Sequence, residues 1–139
     1  MAATASFLAT PKWASTRLTT GVANTDGTGA LTTFTWLTSA PSTDWMPVKL
    51  IISASSATGV GDLADCLIHI FISDGTNIRR IRTIDPGNPA AGSTTVSEFQ
   101  MEVNFGPEFV MPSGCTMQVS CSVTPTAGNL DFVLFAQVA

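Results

Sequence analysis

Cys115-Thr-Met-Gln-Val-Ser-Cys-Ser-Val123 places an apolar residue at every second position, and Thr95 to Phe105 repeats the pattern with larger side chains. In the second stretch Phe99, Met101, Val103 and Phe105 share one parity, while Glu98, Gln100, Glu102 and Asn104 share the other. Successive side chains leave a strand on opposite sides, so a period of two marks one buried face and one wet face. These two stretches decide the fold class, and the rest of the chain follows from them.

Downstream, Thr124-Pro-Thr-Ala-Gly-Asn129 reads as a turn and Leu130-Asp-Phe-Val-Leu-Phe-Ala-Gln-Val138 as a closing strand. Between the two alternating stretches, Gly106 to Gly114 is a connector. Upstream lies the long loop Asp85 to Ser93, preceded by Ile78-Arg-Arg-Ile-Arg-Thr-Ile84. That strand breaks alternation at Arg79-Arg80, which predicts a bulge. Ser73-Asp-Gly-Thr-Asn77 is a hairpin turn, with Asp74-Gly75 suited to positive φ. Asp65-Cys-Leu-Ile-His-Ile-Phe-Ile-Ser73 is apolar on both parities, as a central strand would be. Thr58 to Asp62 is a loop. Val48-Lys-Leu-Ile-Ile-Ser-Ala-Ser55 sets Val48, Leu50 and Ile52 against Lys49, Ile51 and Ser53. Pro41 and Pro47 bracket a loop that carries Trp45, and Ala30 to Thr38 is a further strand rich in β-branched and aromatic residues. The sum is an all-β chain: a single β-sandwich, jelly-roll-like, of seven or eight antiparallel strands.

Residues 1–28 read as an extended N-terminal arm before a sandwich domain over 29–139. Gly21 to Gly29 is dense in turn residues, and Phe7, Leu8, Trp13 and Leu18 show no period that would bury them. Two placements are open for this arm: along its own domain, or into a neighbour. At 139 residues the chain is one domain, large enough for a core without disulfide or metal staples. Met1 to Thr10 lacks the basic start and sustained apolar run of a signal peptide, so synthesis in a cytoplasm is expected. No stretch has the length of a membrane helix. A small outer-membrane barrel would need aromatic girdles, and the chain has no Tyr and three Trp.

Charge is scarce. Only 12% of residues are charged, about half the usual share, and the net charge is −4. A phosphate backbone is therefore not an expected partner, nor is a membrane surface. A lone soluble domain relies on a charged surface, so this composition points to an outer face covered by other protein. Ile51, Val133 and Phe135 are outward apolar positions that a homo-oligomer would hide.

Reactive groups are few. His69, the one histidine, shares parity with Leu67 and Phe71, while Cys66 points to the opposite face, which disfavours a Cys–His zinc pair. A core or half-buried histidine is the reading. Cys115 and Cys121 lie roughly 20 Å apart along one strand, beyond disulfide reach. With Cys66 they read as reduced, buried thiols. Glu98 and Glu102 are roughly 13 Å apart, wider than the carboxyl pair of a glycosidase. Asp62 and Asp65 could join a calcium site but lack clustered oxygen ligands, and a solvated loop accounts for them. Arg79, Arg80 and Arg82 are half of the six basic residues. They could form an anion patch, or pair with Glu98 and Glu102 on an adjacent strand or subunit. No enzyme, metal or cofactor is expected. The candidate assembly contacts are Phe7, Trp13, Trp45, Arg79, Arg80 and Arg82.

The segment Val48 to Val138 resembles a group of small virion structural proteins of tailed bacteriophages. The resemblance rests on Phe71-Ile-Ser-Asp-Gly-Thr-Asn-Ile-Arg79, Ser97-Glu-Phe99, Phe109-Val-Met-Pro-Ser-Gly-Cys-Thr-Met117 and Leu130-Asp-Phe-Val-Leu-Phe135. It implies a virion component such as a head decoration (cement) protein, commonly trimeric, with a major capsid protein or other virion protein as partner. Tail and fibre roles also occur in the group, where a loop aromatic such as Trp45 could recognise host glycan. None of the shared motifs is catalytic, so no functional residue is carried over.

Overall fold

The computed structural model describes residues 10–18, 26–29, 31–55, 66–87, 99–106, 109–122 and 129–139. Among them the chain forms β1 (Thr10–Leu18), β2 (Thr32–Thr33), a 3-10 helix (Thr35–Leu37), β3 (Trp45–Ser55), β4 (Cys66–Ser73), β5 (Ile78–Gly87), β6 (Gln100–Asn104), β7 (Thr116–Cys121) and β8 (Asn129–Val138). Two four-stranded sheets result, ordered β1-β8-β3-β6 and β2-β7-β4-β5. Every pairing is antiparallel. The first strand pairs with the last, the second with the seventh, the third with the sixth and the fourth with the fifth. This nested winding is the jelly roll, and the expected β-sandwich is what forms.

The core lies between the sheets and follows the alternation. Leu130, Phe132 and Leu134 of β8, Leu50, Ile52 and Ala54 of β3, Ile68 and Ile70 of β4, and Met117, Val119 and Cys121 of β7 are all fully buried. Phe132 meets the ring of Phe34 edge-on, with centroids 6.4 Å apart. Phe99, Met101 and Phe105 pack against this core but are only partly buried, whereas Val103 between them is buried. The Asp74-Gly75 turn forms as expected. Gly75 takes φ 92°, and Asp74 Oδ1 accepts the amides of Thr76 and Asn77 at 2.9 and 2.6 Å. β5 bulges twice: at Ile81, because Ile70 faces Arg82 while Phe71 faces Arg80, and again where Cys66 faces Gly87 while Ile68 faces Ile84.

Three expectations change. Thr10–Leu18, inside the segment read as an arm, is a strand paired with β8 along its whole length. It packs along its own domain, one of the two placements left open, and the sandwich thus begins before residue 29. Ala14 and Leu18 are its buried residues; alanine and threonine at alternate positions carry too little apolar signal to show a period. The other arm residues up to 25 lie outside the described set. Ala30–Thr38 is not one strand: Thr32–Thr33 pairs briefly with β7, and the helix follows. Positions three apart eclipse in a 3-10 turn, so Phe34 and Leu37 enter the core together. Finally, Trp45 is not a loop aromatic but the start of β3.

The sheet edges are blunted. β2 has two residues and β6 five. β1 packs against the 3-10 helix, where Lys12 Nζ sits 5.4 Å from the centre of the Trp36 ring. β5 carries its bulges and three exposed arginines. Short, covered or charged edges resist strand-by-strand aggregation. No helix among the described residues is long and apolar enough to cross a membrane.

Candidate functional site

The outer face of the β1-β8-β3-β6 sheet is built by the alternate residues that the core leaves out. Its registers give three rows across the sheet: Trp13, Phe135, Lys49 and Asn104; then Ser15, Val133, Ile51 and Glu102; then Arg17, Asp131, Ser53 and Gln100. Trp13 and Phe135 are direct cross-strand partners, 64% and 41% exposed. Val133 and Ile51 continue the apolar area in the next row and are half-buried. Together they make one patch spanning three strands, from the edge strand β1 across β8 to β3.

Ion pairs frame the patch. Arg17 grips Asp131 with two bonds, Nε to Oδ1 at 2.6 Å and Nη2 to Oδ2 at 3.1 Å. That hydrogen bonding, and then the carboxylate's charge, raise the pKa of Arg17. Lys49 Nζ lies 3.6 Å from Glu102 Oε1 on the other side. Beside Trp13 a groove of about 480 Å³ opens between Arg17, Thr35 and Asp131.

The sequence candidates are dispersed. Trp13 lies in the patch. Phe7 lies outside the described residues. Trp45 is fully buried: its amide and carbonyl bridge Met111 at 2.9 and 2.7 Å, its indole Nε1 donates to the Cys115 carbonyl at 3.1 Å, and Trp36 stacks edge-on against it. It presents no surface to a glycan or another chain. Arg79, Arg80 and Arg82 line the free edge of the other sheet and are exposed. They do not pair with Glu102, because β5 and β6 lie in different sheets and Glu102 meets Lys49. Glu98 lies outside the described residues. Arg79 donates to the Ile78 carbonyl at 2.9 Å. Arg80 is close enough to Asp26 to add to the lowering of that carboxyl's pKa, which Thr28's hydrogen bonds dominate.

His69 is buried on the outer face of its sheet. Its Nδ1 is 3.0 Å from Thr83 Oγ1, and Phe71 meets the ring edge-on at 6.3 Å. Its Nε2 finds no hydrogen-bond partner among the described residues. Burial, and then the charge of Arg80, hold its pKa below the ordinary 6.5. Among the described residues no three of His, Cys, Asp and Glu gather as metal ligands would. Cys121 is buried; Cys115 is half-buried, with a pKa raised by burial and by Asp74. The Cys66 side chain, Asp62 and Asp65 lie outside the described set. Sequence reading missed Arg17 and Ser15 as members of the outer face. Trp13, Ser15 and Arg17 do alternate against Ala14, Thr16 and Leu18, but the contrast is too weak to mark a strand by itself.

No family model matches the chain, and a search of curated proteins finds no match. Solved structures give distant likenesses. One is the virus-like particle of the extra small virus of the giant freshwater prawn Macrobrachium rosenbergii, at 12% identity and TM-score 0.33, covering 100% of this chain and 86% of that one. A second is infectious bursal disease virus, Gt strain, at 15% identity and TM-score 0.31, covering 93% and 37%. A third holds the CBM22-1 and GH10 modules of Clostridium thermocellum xylanase 10B with xylohexaose, at 11% identity and TM-score 0.34, covering 91% and 26%. Likeness at this level leaves the functional reading to the chain's own surface.

Proposed function

We propose that this is a non-enzymatic virion structural protein, a head decoration (cement) subunit of a tailed bacteriophage. It is made in the host cytoplasm and taken into the particle. Its partners are the major capsid protein or another virion protein and further copies of itself, a trimer in our reading. It needs no cofactor or metal, and neither nucleic acid nor membrane is a partner.

The observation that carries this reading is the apolar patch of Trp13, Phe135, Val133 and Ile51 on a chain with 12% charged residues. A contiguous apolar face on a small soluble domain marks a surface that other protein covers. Low charge lowers the desolvation cost of covering it. The resemblance of Val48 to Val138 to phage virion proteins supplies the setting. Gold-labelled antibody on purified phage particles tests it: label over the head is the expected result, and particles without label refute it.

A second reading, a tail or fibre module that binds host glycan, draws on one observation. The groove beside Trp13 joins an exposed aromatic ring to the Arg17–Asp131 pair and to Thr35. Label on the tail, with glycan-array binding that Trp13→Ala abolishes, would establish it in place of the head role.

A further inference from the structure

We infer that the outer face of the β1-β8-β3-β6 sheet is the self-association surface, and that its occupant is the same face of further copies of this chain around a symmetry axis. This rests on the virion-subunit reading for its purpose but not for its evidence, which is electrostatic and topological.

Each copy carries a net charge of −4, so two copies repel as they approach. The face itself adds nothing to that repulsion. Its four ionised residues sum to zero, and each is bridged on its own sheet: Arg17 to Asp131, Lys49 to Glu102. A partner of opposite charge would be met by unpaired charges of one sign, whereas this rim presents none among the described residues. What remains between the ion pairs is apolar area that runs from Trp13 on the edge strand β1 to Phe135 on β8 and beyond. Aromatic anchors inside a polar rim are the anatomy of a protein–protein contact.

Topology closes the other route. Two copies could add edge strand to edge strand, but β2 and β6 are short, β1 is flanked by the 3-10 helix, and β5 would bring arginines against arginines. Like charges across such a seam oppose it. Val48, Leu67 and Val110 are also exposed but lie outside this patch; face-to-face packing through the patch is compatible with the blunted edges, and a closed symmetric oligomer is its natural outcome.

The test uses the full chain and sedimentation with light scattering over a wide concentration range. Wild type is expected to be an oligomer at tens of micromolar. Val133→Asp sets an unpaired charge in the contact and should weaken association by roughly 30-fold or more, the scale of a hot-spot loss. Trp13→Ala guards against misfolding of that variant, since truncating a 64% exposed ring leaves the core intact; it should weaken association by roughly tenfold with an unchanged urea midpoint for the monomer. Arg82→Ala, on the opposite sheet, should associate as wild type. Oligomers undiminished in both face variants overturn the inference. So does a wild-type protein that stays monomeric, even if it labels phage heads, in which case the virion role stands alone. A monomer that binds oligosaccharide through Trp13 likewise overturns it, in favour of a glycan site. Weakened association in a protein that labels no particle supports the inference and removes the virion role.

Discussion

Phe132 and Phe135 stand three residues apart on β8 and point to opposite faces, so truncating each reads a different property. Phe132 is fully buried and meets Phe34 edge-on, whereas Phe135 is 41% exposed on the outer face. Phe132→Ala removes a ring and leaves a cavity between the sheets. That change costs about 3–5 kcal/mol, including the lost aromatic pair, which lowers Tm by roughly 10–20 °C in a domain of this size. Phe135 has a little over half its surface covered within one copy. Full burial of such a side chain contributes about 1.5–3 kcal/mol, so Phe135→Ala should cost the single copy about 1 kcal/mol. If this face meets a second copy, as inferred above, the remaining part of its burial comes from that contact and depends on concentration. Thermal unfolding across a hundredfold dilution series separates the two. The Phe132→Ala deficit should stay the same throughout, while the Phe135→Ala deficit should shrink on dilution. Equal deficits that ignore concentration would refute the assignment of the two faces of β8.

His69 makes stability sensitive to acid. Its folded pKa lies below 6.5, so beneath that value the unfolded chain takes up a proton that the folded chain refuses. This contribution is whole above pH 6.5 and is lost as pH falls toward the folded value. The urea midpoint should drop as pH falls below 6.5 toward the folded value, and His69→Gln should flatten that slope; an unchanged slope would show that another group titrates. In native protein a thiol reagent should label Cys115 slowly and Cys121 not at all, with both reacting after denaturation; rapid labelling of Cys121 would mean that β7 is turned over. Deleting residues 1–28 removes β1 with Ala14 and Leu18 and should abolish cooperative unfolding, whereas deleting residues 1–9 leaves every described strand in place. A cooperative melt from the longer deletion would show β1 to be dispensable.

Where burial repeats every second residue and the apolar partners are large, the sequence was legible. Thr116–Cys121 and Asn129–Val138 were readable for that reason, as were the Asp74-Gly75 turn and the bulge beside Arg80. β1 was hidden because its inward positions are Ala14, Thr16 and Leu18, a weak contrast to the outward Trp13. The helix at Thr35–Leu37 looked like strand because β-branched and aromatic residues mark either. Trp45 was misplaced by Pro41 and Pro47, which suggest a loop; the backbone bonds to Met111 that hold it come from a segment far along the chain. The outer patch was visible as Ile51, Val133 and Phe135. Its fourth member and its rim needed the register of β1 on β8, which strand spacing does not encode.

The nested winding also fixes an order of events. His69 and Thr83, which bridge β4 and β5, are 14 residues apart. Thr33 and Gln118, between β2 and β7, are 85 apart, and Arg17 and Asp131, between β1 and β8, are 114 apart. Closing the outermost loop costs about 2 kcal/mol more than closing the innermost, so the sandwich is favoured to wind from β4–β5 outward. On the ribosome β1 emerges before the other described strands and must wait for β8, which emerges after them. The outer face has β8 at its centre, with Phe135 and Val133. Incomplete chains therefore have no such face, and neighbouring nascent copies cannot associate through it before each has finished folding.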